Sequence, residues 1–307
     1  MLAPMQGLTN RALRSLFIEW VNPDVVFTEF VRVRPTGARR VISEVDRLEA
    51  GSAFARTPLV VQLIGNSADS LGLAAESARQ AGATHLNINL GCPYGRMNAG
   101  SAGGALLKNP EGLAEKLLAI RNRCAGTFSV KVRSGYDDPE QIFSLLPIFE
   151  ECRVDFLIIH PRTVLQKFRG RADHEITARI VESTSLPVIA NGDVVTAAEG
   201  KRLLEQTGAA GLMLGRGAIR DPMLFQRLRG LAPEIPEMSE RIGELRYYLQ
   251  ELASRYHHIF QGDAQVLNKI KTVVNLLRED DDLSRPVRKL LRAGKLENFM
   301  ALVNTLS

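Results

Sequence analysis

Short apolar runs rich in β-branched residues recur along the first two-thirds of the chain. They fall at Met1–Ala3, Val25–Thr28, Leu59–Leu63, Leu86–Asn89, Ser129–Val132, Phe156–Ile159, Pro187–Ala190 and Gly211–Leu214. The runs are nearly continuous rather than alternating, as expected of parallel strands buried on both faces. Between them, Leu71–Ala81, Pro110–Arg123, Gln141–Glu150 and Ala197–Gln206 carry Ala, Leu, Glu and Arg at helical spacing. Eight strands alternating with helices predict an α/β fold, a (β/α)8 TIM barrel, with a doubly wound open sheet as the runner-up.

After about residue 230 the pattern changes. The run Leu231-Ala232-Pro233-Glu234-Ile235-Pro236 carries two prolines and reads as a linker. Beyond it lie helical patterns with no convincing strand. The division expected is residues 1–230 as the barrel and 231–307 as a small all-helical domain.

The 307 residues, 45% of them hydrophobic, suffice for a full core. A net charge of +5 is modest, so its distribution matters more than its size. Cys92, Cys124 and Cys152 form an odd set without CxxC spacing, which argues against a disulfide framework and against a zinc site. No metal site is expected. The first twenty residues lack a signal-peptide core and no run is long enough to span a membrane, so a cytoplasmic protein is expected.

In a parallel barrel, chemistry sits where the strands end. Pro4-Met5-Gln6-Gly7 follows the first run, and Gln62 closes the third. The fourth ends in Asn89-Leu90-Gly91-Cys92-Pro93, and the fifth carries Lys131 and Arg133. The sixth ends in His160 and Arg162, the seventh in Asn191-Gly192-Asp193, and the eighth in Gly215-Arg216-Gly217. The last two groups read as an anion site. Glycines let backbone N–H groups approach a ligand, a following helix start adds its dipole, and Arg216 offers a charged fork. Tight βα turns are the plain alternative.

Lys131, set among apolar neighbours in a strand, reads as a Schiff-base nucleophile or as a cation beside an electron-rich cofactor ring. A lysine snorkelling to the barrel mouth is the structural alternative. Cys92 stands in a glycine-rich context that continues through Asn98–Gly104, a loop suited to folding over a substrate. Its thiol can act as a general acid or as a nucleophile, with a purely structural cysteine as the plain alternative, whereas Cys124 and Cys152 read as small core residues. His160 can bond a cofactor carbonyl or phosphate as a neutral imidazole, or simply cap the strand.

In the helical tail, Arg285, Arg288, Lys289 and Arg292 fall at i, i+3, i+4 and i+7, one face of a helix, with Lys295 following. Such a stripe suits phosphates, although charge alone also fits an ordinary solvated face.

Taken together, these segments resemble the tRNA-dihydrouridine synthases. The resemblance rests on Ala3-Pro4-Met5, Thr28-Glu29-Phe30, Val61-Gln62-Leu63, Asn89–Pro93, Lys131-Val132-Arg133, His160-Pro161-Arg162-Thr163, Ile189–Asp193 and Gly215-Arg216-Gly217. It runs in order from residue 1 to about 300. Thr28–Arg32 and Asn268-Lys269-Ile270-Lys271-Thr272 look most like the bacterial branch that modifies position 16 of the D loop, the DusC branch.

The resemblance implies FMN as bound cofactor, NADPH as reductant, and reduction of a uridine C5–C6 bond in tRNA. It implies that Pro4, Met5 and Gln6 line the flavin and that Gln62 and Lys131 contact its ring. His160, Asn191, Gly192, Asp193, Gly215 and Arg216 would hold the ribityl and phosphate end. Cys92 would protonate uracil C5 while the flavin delivers hydride to C6, with Asn89 and Arg133 binding the flipped uracil. Arg32, Lys269, Lys271 and Arg278 match positions that orient tRNA in this branch. Three positions depart from the usual pattern: Pro161 after His160, Asp193 in place of Glu, and Lys269 in place of Arg. A monomer without membrane or obligatory protein partner is expected.

Three other readings share parts of this pattern. An FMN-dependent barrel acting on a free pyrimidine or another small molecule would lack tRNA affinity. A Schiff-base lyase built on Lys131 would need no flavin. An RNA-binding module with the barrel as scaffold would tolerate loss of Cys92.

Overall fold

In the computed structural model, residues 1–35, 41–51, 57–94, 102–280 and 282–306 are described. The strands are β1 (Val26–Phe27), β2 (Val31–Arg32), β3 (Leu59–Ile64), β4 (His85–Leu90), β5 (Phe128–Arg133), β6 (Phe156–His160), β7 (Val188–Asn191) and β8 (Gly211–Met213). The helices are α1 (Arg11–Trp20), α2 (Glu44–Ala50), α3 (Ala68–Gln80), α4 (Leu113–Arg121), α5 (Gln141–Glu151), α6 (His174–Ser183) and α7 (Ala197–Thr207). They continue as α8 (Arg216–Arg220), α9 (Leu224–Leu228), α10 (Met238–His257), α11 (Gly262–Leu276), α12 (Ser284–Arg292) and α13 (Leu296–Asn304).

The chain divides into two compact units. The first comprises Met1–Pro4, Asp24–Asp193 and Lys201–Leu214. The second comprises Met5–Pro23, Val194–Gly200 and Gly215–Ser307.

All strands lie in the first unit and every pairing is parallel, in the order β1-β3-β4-β5-β6-β7-β8, with β2 also pairing β3. The run Met1–Ala3 forms no strand of its own. Instead Leu2, fully buried, bridges in parallel to both Val26 and Leu214, joining the two ends of the sheet. Leu2 N–H donates to the Val25 carbonyl at 2.9 Å and Ala3 N–H to that of Leu214 at 2.8 Å. Three residues are too few for a regular strand, yet sufficient to close a barrel by backbone bonds on both sides. The open-sheet alternative is thereby excluded. The short β2 was not expected, because Val31-Arg32 is too brief to show a period.

Alternation places two separate cores on the sheet. Leu63, Ile88, Val130, Val132, Leu157 and Ile159 face the helices together with Leu71, Leu117 and Phe149. Phe27, Val60, Ile158, Ile189 and Met213 fill a smaller interior cluster. Caps fix the helix starts: Asn10 Oδ1 accepts from the Ala12 and Leu13 amides, and Ser67 and Asp173 cap α3 and α6.

In the second unit, α1 packs with α10. Phe17 meets Phe225 and Tyr248 edge-on at 6.3 and 6.1 Å, and Trp20 meets Tyr247 at 4.8 Å. Arg255 binds Glu19 at 2.7 Å. Arg227, 2% exposed, lies between Asp221 and Glu244 and also donates to the Pro233 carbonyl. No helix among the described residues is long and apolar enough to cross a membrane.

Candidate active site

The polar residues singled out at the strand ends of the first unit converge through strand register. Gln62 pairs with Asn87, Asn87 with Ser129, Asn89 with Lys131, and Arg133 with His160. Side chains two residues apart on a strand share a face, so these rows stack as layers. The lowest layer is a linear relay: Gln62 Nε2 donates to Asn87 Oδ1 and Asn87 Nδ2 to Ser129 Oγ, both at 2.8 Å. Gln62, Asn87 and Ser129 are fully buried, so the relay satisfies groups that would otherwise be costly.

Asn89 links this relay to the cysteine. Its Nδ2 donates to Gln62 Oε1 at 2.8 Å, while its Oδ1 accepts from the Gly91 and Cys92 amides at 2.9 Å each. The turn after β4 is therefore set by a side chain that is itself held from behind. Cys92 lies half-buried against Ile64, Ala102 and Phe30. Its carbonyl accepts from Gly104 N–H at 3.1 Å, and a Cβ at Gly104 would lie 2.9 Å from that carbonyl and 2.7 Å from Val164. Only glycine permits this approach. Residues 95–101 of the expected glycine-rich loop lie outside the described residues.

Bases dominate the upper layers. Lys131 Nζ donates to Asn191 Oδ1 at 2.8 Å, and Asn191 Nδ2 to the Met213 carbonyl at 2.8 Å. Burial, with the charge of Arg133 adding to it, pushes Lys131 down to about 7. Arg133 is pushed down to about 10, first by burial and then by Arg162. Burial also drives His160 far below the usual imidazole range, helped by Lys131, Arg133, Arg162 and His174.

Arg162 binds Asp193 through both Nη atoms, at 3.0 and 2.6 Å. Gly192 and Asp193 both adopt positive φ, +132° and +53°, making a turn directly beside His160. Lys131, Arg133 and Arg162 thus gather around His160, with the Asp193 carboxylate already committed to Arg162. Their mutual repulsion fits an anionic ligand, whose charge would relieve it. Among the described residues, no group of three His, Cys, Asp or Glu side chains is arranged to hold a metal ion.

Arg133 is anchored more firmly than its expected role suggests. It donates to the carbonyls of Gly91 (2.7 Å), Thr163 (2.9 Å) and Lys167 (2.6 Å), and lies over the Phe168 ring at 5.3 Å. It therefore ties the loop after β4 to the loop after β6.

Residues 1–301 match the dihydrouridine synthase (Dus) family. The chain belongs to the dihydrouridine synthase family. It is similar to the tRNA-dihydrouridine(16) synthases of Haemophilus influenzae (32% identical, 88% of this chain and 94% of that one) and Cupriavidus necator (33%, 83% and 81%). It is also similar to tRNA-dihydrouridine synthase B of Pasteurella multocida (29%, 83% and 77%). Its fold matches a structure of morphinone reductase in complex with tetrahydroNAD, with TM-score 0.54 at 13% identity over 78% of this chain and 88% of that one. Membership makes the protein an oxidoreductase of the dihydrouridine synthase family, as the sequence implied.

Other expected site residues of this dihydrouridine synthase are spread over both units. Pro4 follows the bridging Leu2 in the first unit. Arg32 is exposed in β2, 5.8 Å from the centre of the Phe30 ring. In the second unit, Met5 N–H donates to Thr9 Oγ1 at 2.8 Å and Gln6 is exposed. Gly215 precedes α8 and Arg216 is exposed. Gly217 approaches Val194 so closely that a Cβ would lie 2.2 Å from its carbonyl. With five residues, α8 is too short to lend much of the expected dipole.

Of the tail cations, Lys269 lies over Phe260 at 5.4 Å and Lys271 donates to the Ala293 carbonyl at the end of α12. Arg278 is exposed near Asn275. Arg285, Arg288, Lys289 and Arg292 are all exposed on or at the start of α12, whose Val287 and Leu290 are buried. The relay partners Asn87 and Ser129 and the roles of Arg162 and Phe168 were missed by sequence reasoning. The two-residue offset of Asn87 from Asn89 was the one available signal.

Proposed function

We propose that the protein binds FMN, takes electrons from NADPH, and reduces uridine at position 16 of the tRNA D loop. The relatives named for position 16 support that position, and the convergence of buried bases supports a phosphorylated, anionic cofactor. The observation that carries the reading is the dual hold of Asn89 on the Gly91 and Cys92 amides, which fixes a thiol beside those bases.

Bound FMN would supply hydride to uracil C6. Every other part belongs to the chain. Pro4, Met5 and Gln6 line the cofactor; Gln62 and Lys131 contact its ring. His160, Asn191, Gly192, Asp193, Gly215 and Arg216 hold the ribityl phosphate. Lys131, with a pKa near 7, accepts a proton as an anion enters and then stabilises its charge. The Cys92 thiol gives its proton to uracil C5 as a general acid. Asn89 and Arg133 frame the extruded base, Arg133 chiefly by holding the loops around it.

Residues 1–230 carry the chemistry, and 231–307 grip tRNA through α12, Lys269, Lys271 and Arg278, with Arg32 on the barrel adding a further contact. The protein works in the cytoplasm as a monomer. Incubation of FMN-loaded protein and NADPH with unmodified tRNA transcripts, followed by mapping each D-loop position, tests the reading. Dihydrouridine at position 16 is expected. Modification elsewhere refutes the positional assignment, and turnover of free uracil alone supports a small-molecule reductase.

A further inference from the structure

One buried guanidinium at the active site has no part in the scheme above. Arg162, 2% exposed, follows β6 and spends four N–H groups on three neighbours. Nη2 donates to the Gly170 carbonyl at 2.7 Å and to Asp193 Oδ2 at 2.6 Å. Nη1 donates to Asp193 Oδ1 at 3.0 Å and lies 3.1 Å from His160 Nε2.

The last contact fixes a proton. A guanidinium has donors and no acceptor, so His160 Nε2 must accept, and the ring hydrogen is forced onto Nδ1. Among the described residues Nδ1 has no hydrogen-bond partner. The same guanidinium, through its fork onto Asp193, pins the positive-φ Gly192–Asp193 turn. The Asp193 carboxylate also accepts from Ala172 N–H at 2.7 Å, and His174 Nε2 lies 3.1 Å from the Gly192 carbonyl. The ring and the turn therefore share one support.

We propose that Arg162 is a positioning residue that holds His160 in its Nδ1–H tautomer, so that the ring presents a donor to the phosphate-bearing chain of the flavin. The proposal rests on the FMN reading only for that last step. Lysine cannot replace the arginine, because one ammonium cannot reach the imidazole, the Gly170 carbonyl and both carboxylate oxygens at once. The charged groups facing His160 are Lys131 on β5, Arg133 at its end, Arg162 itself, and His174 on α6, with Asp193 the counter-charge to Arg162. Removing Arg162 takes away one of the cations that hold the ring unprotonated.

The test is a long-range ¹H–¹⁵N correlation spectrum of histidine-labelled apoprotein, with the His160 signal identified by its loss in His160→Gln. Wild-type protein should show Nε2 as an acceptor and Nδ1 protonated, unchanged from pH 6 to 8. Arg162→Gln should shift the ring toward Nε2–H or let it titrate in that range. Arg162→Lys should fail to restore the wild-type pattern, although charge is kept. Asp193→Asn, which loosens the fork without removing Arg162, should give tautomer exchange and serves if the arginine variants do not fold.

FMN titration provides a second readout. Loss of the partner that orients a ligating imidazole costs about 10- to 100-fold in affinity at metal sites, and a drop of at least about tenfold is expected here. A wild-type ring protonated on Nε2, or a folded Arg162→Gln protein with an unaltered His160 spectrum, overturns the proposal. If wild-type protein binds no FMN, the cofactor reading fails while the tautomer result still decides the role of Arg162.

Discussion

Asn89 joins two parts of the site, because one amide serves both the buried relay and the turn that presents Cys92. Asn89→Ala leaves Gln62 Oε1 without its donor and releases two amides. Stability should fall by about 1–3 kcal/mol, read as a lower denaturant midpoint, with a larger loss in kcat than in tRNA affinity. Lys131 gives a pH signature. Its folded pKa of about 7 lies below the unfolded value of about 10.4, so the folded chain sheds the proton first. Stability of the unliganded protein should therefore rise with pH from about 7 toward 10. An anion favours the protonated lysine, so FMN affinity should weaken between pH 7 and 9, by at most about tenfold per pH unit. Affinity independent of pH over that window contradicts the assignment. At this scale Gln62, Lys131, His160 and Cys92 were legible, since polar residues at buried strand ends stand out. The tethering of Arg133 to three carbonyls was not, because its partners lie in loops far away in sequence.

Among elements, α12 displays the clearest division of faces. Val287 and Leu290 are buried, while Arg285, Arg288, Lys289 and Arg292 face solvent. If this face tracks tRNA phosphates, Arg288→Glu combined with Lys289→Glu should weaken tRNA binding and flatten its salt dependence. Each lost phosphate contact should lower the slope of log K against log salt by about 0.7–0.9. The flavin spectrum should not change, and an unaltered slope assigns α12 to the solvated-face reading. Helical periodicity predicted the α5 and α7 boundaries to within a residue, because buried positions recur there at a regular spacing. It could not anticipate that Met1–Ala3 makes only bridges, since closure depends on which two strands the segment meets. Nor could charge spacing reveal that Lys271 caps α12 rather than pointing outward.

At the scale of the whole molecule, parallel strands and βα order were readable from apolar runs, and the family from the residues at their ends. The grouping of α1 with the C-terminal helices was not, because aromatic contacts such as Phe17 with Tyr248 join segments more than two hundred residues apart. That unit also contains the triad of buried Arg227 with the partly exposed carboxylates of Asp221 and Glu244. Arg227→Met should destabilise the protein by about 3–5 kcal/mol, since two carboxylates remain with their counter-charge removed. Thermal unfolding would register the loss, and it should ease as pH falls, because burial raises the Glu244 carboxyl and favours its protonation. A variant as stable as wild type at pH 8 shows that the triad contributes nothing.

The central claim is that Cys92 donates the proton that completes uridine reduction. Its most direct test is a single-turnover experiment in which FMN-loaded, pre-reduced Cys92→Ala protein is mixed with unmodified tRNA and flavin reoxidation is followed. The account predicts that FMN binding and reduction by NADPH persist, while tRNA-dependent reoxidation slows by about 100- to 10,000-fold, the usual contribution of a positioned general acid. Reoxidation at the wild-type rate with dihydrouridine formed would contradict it.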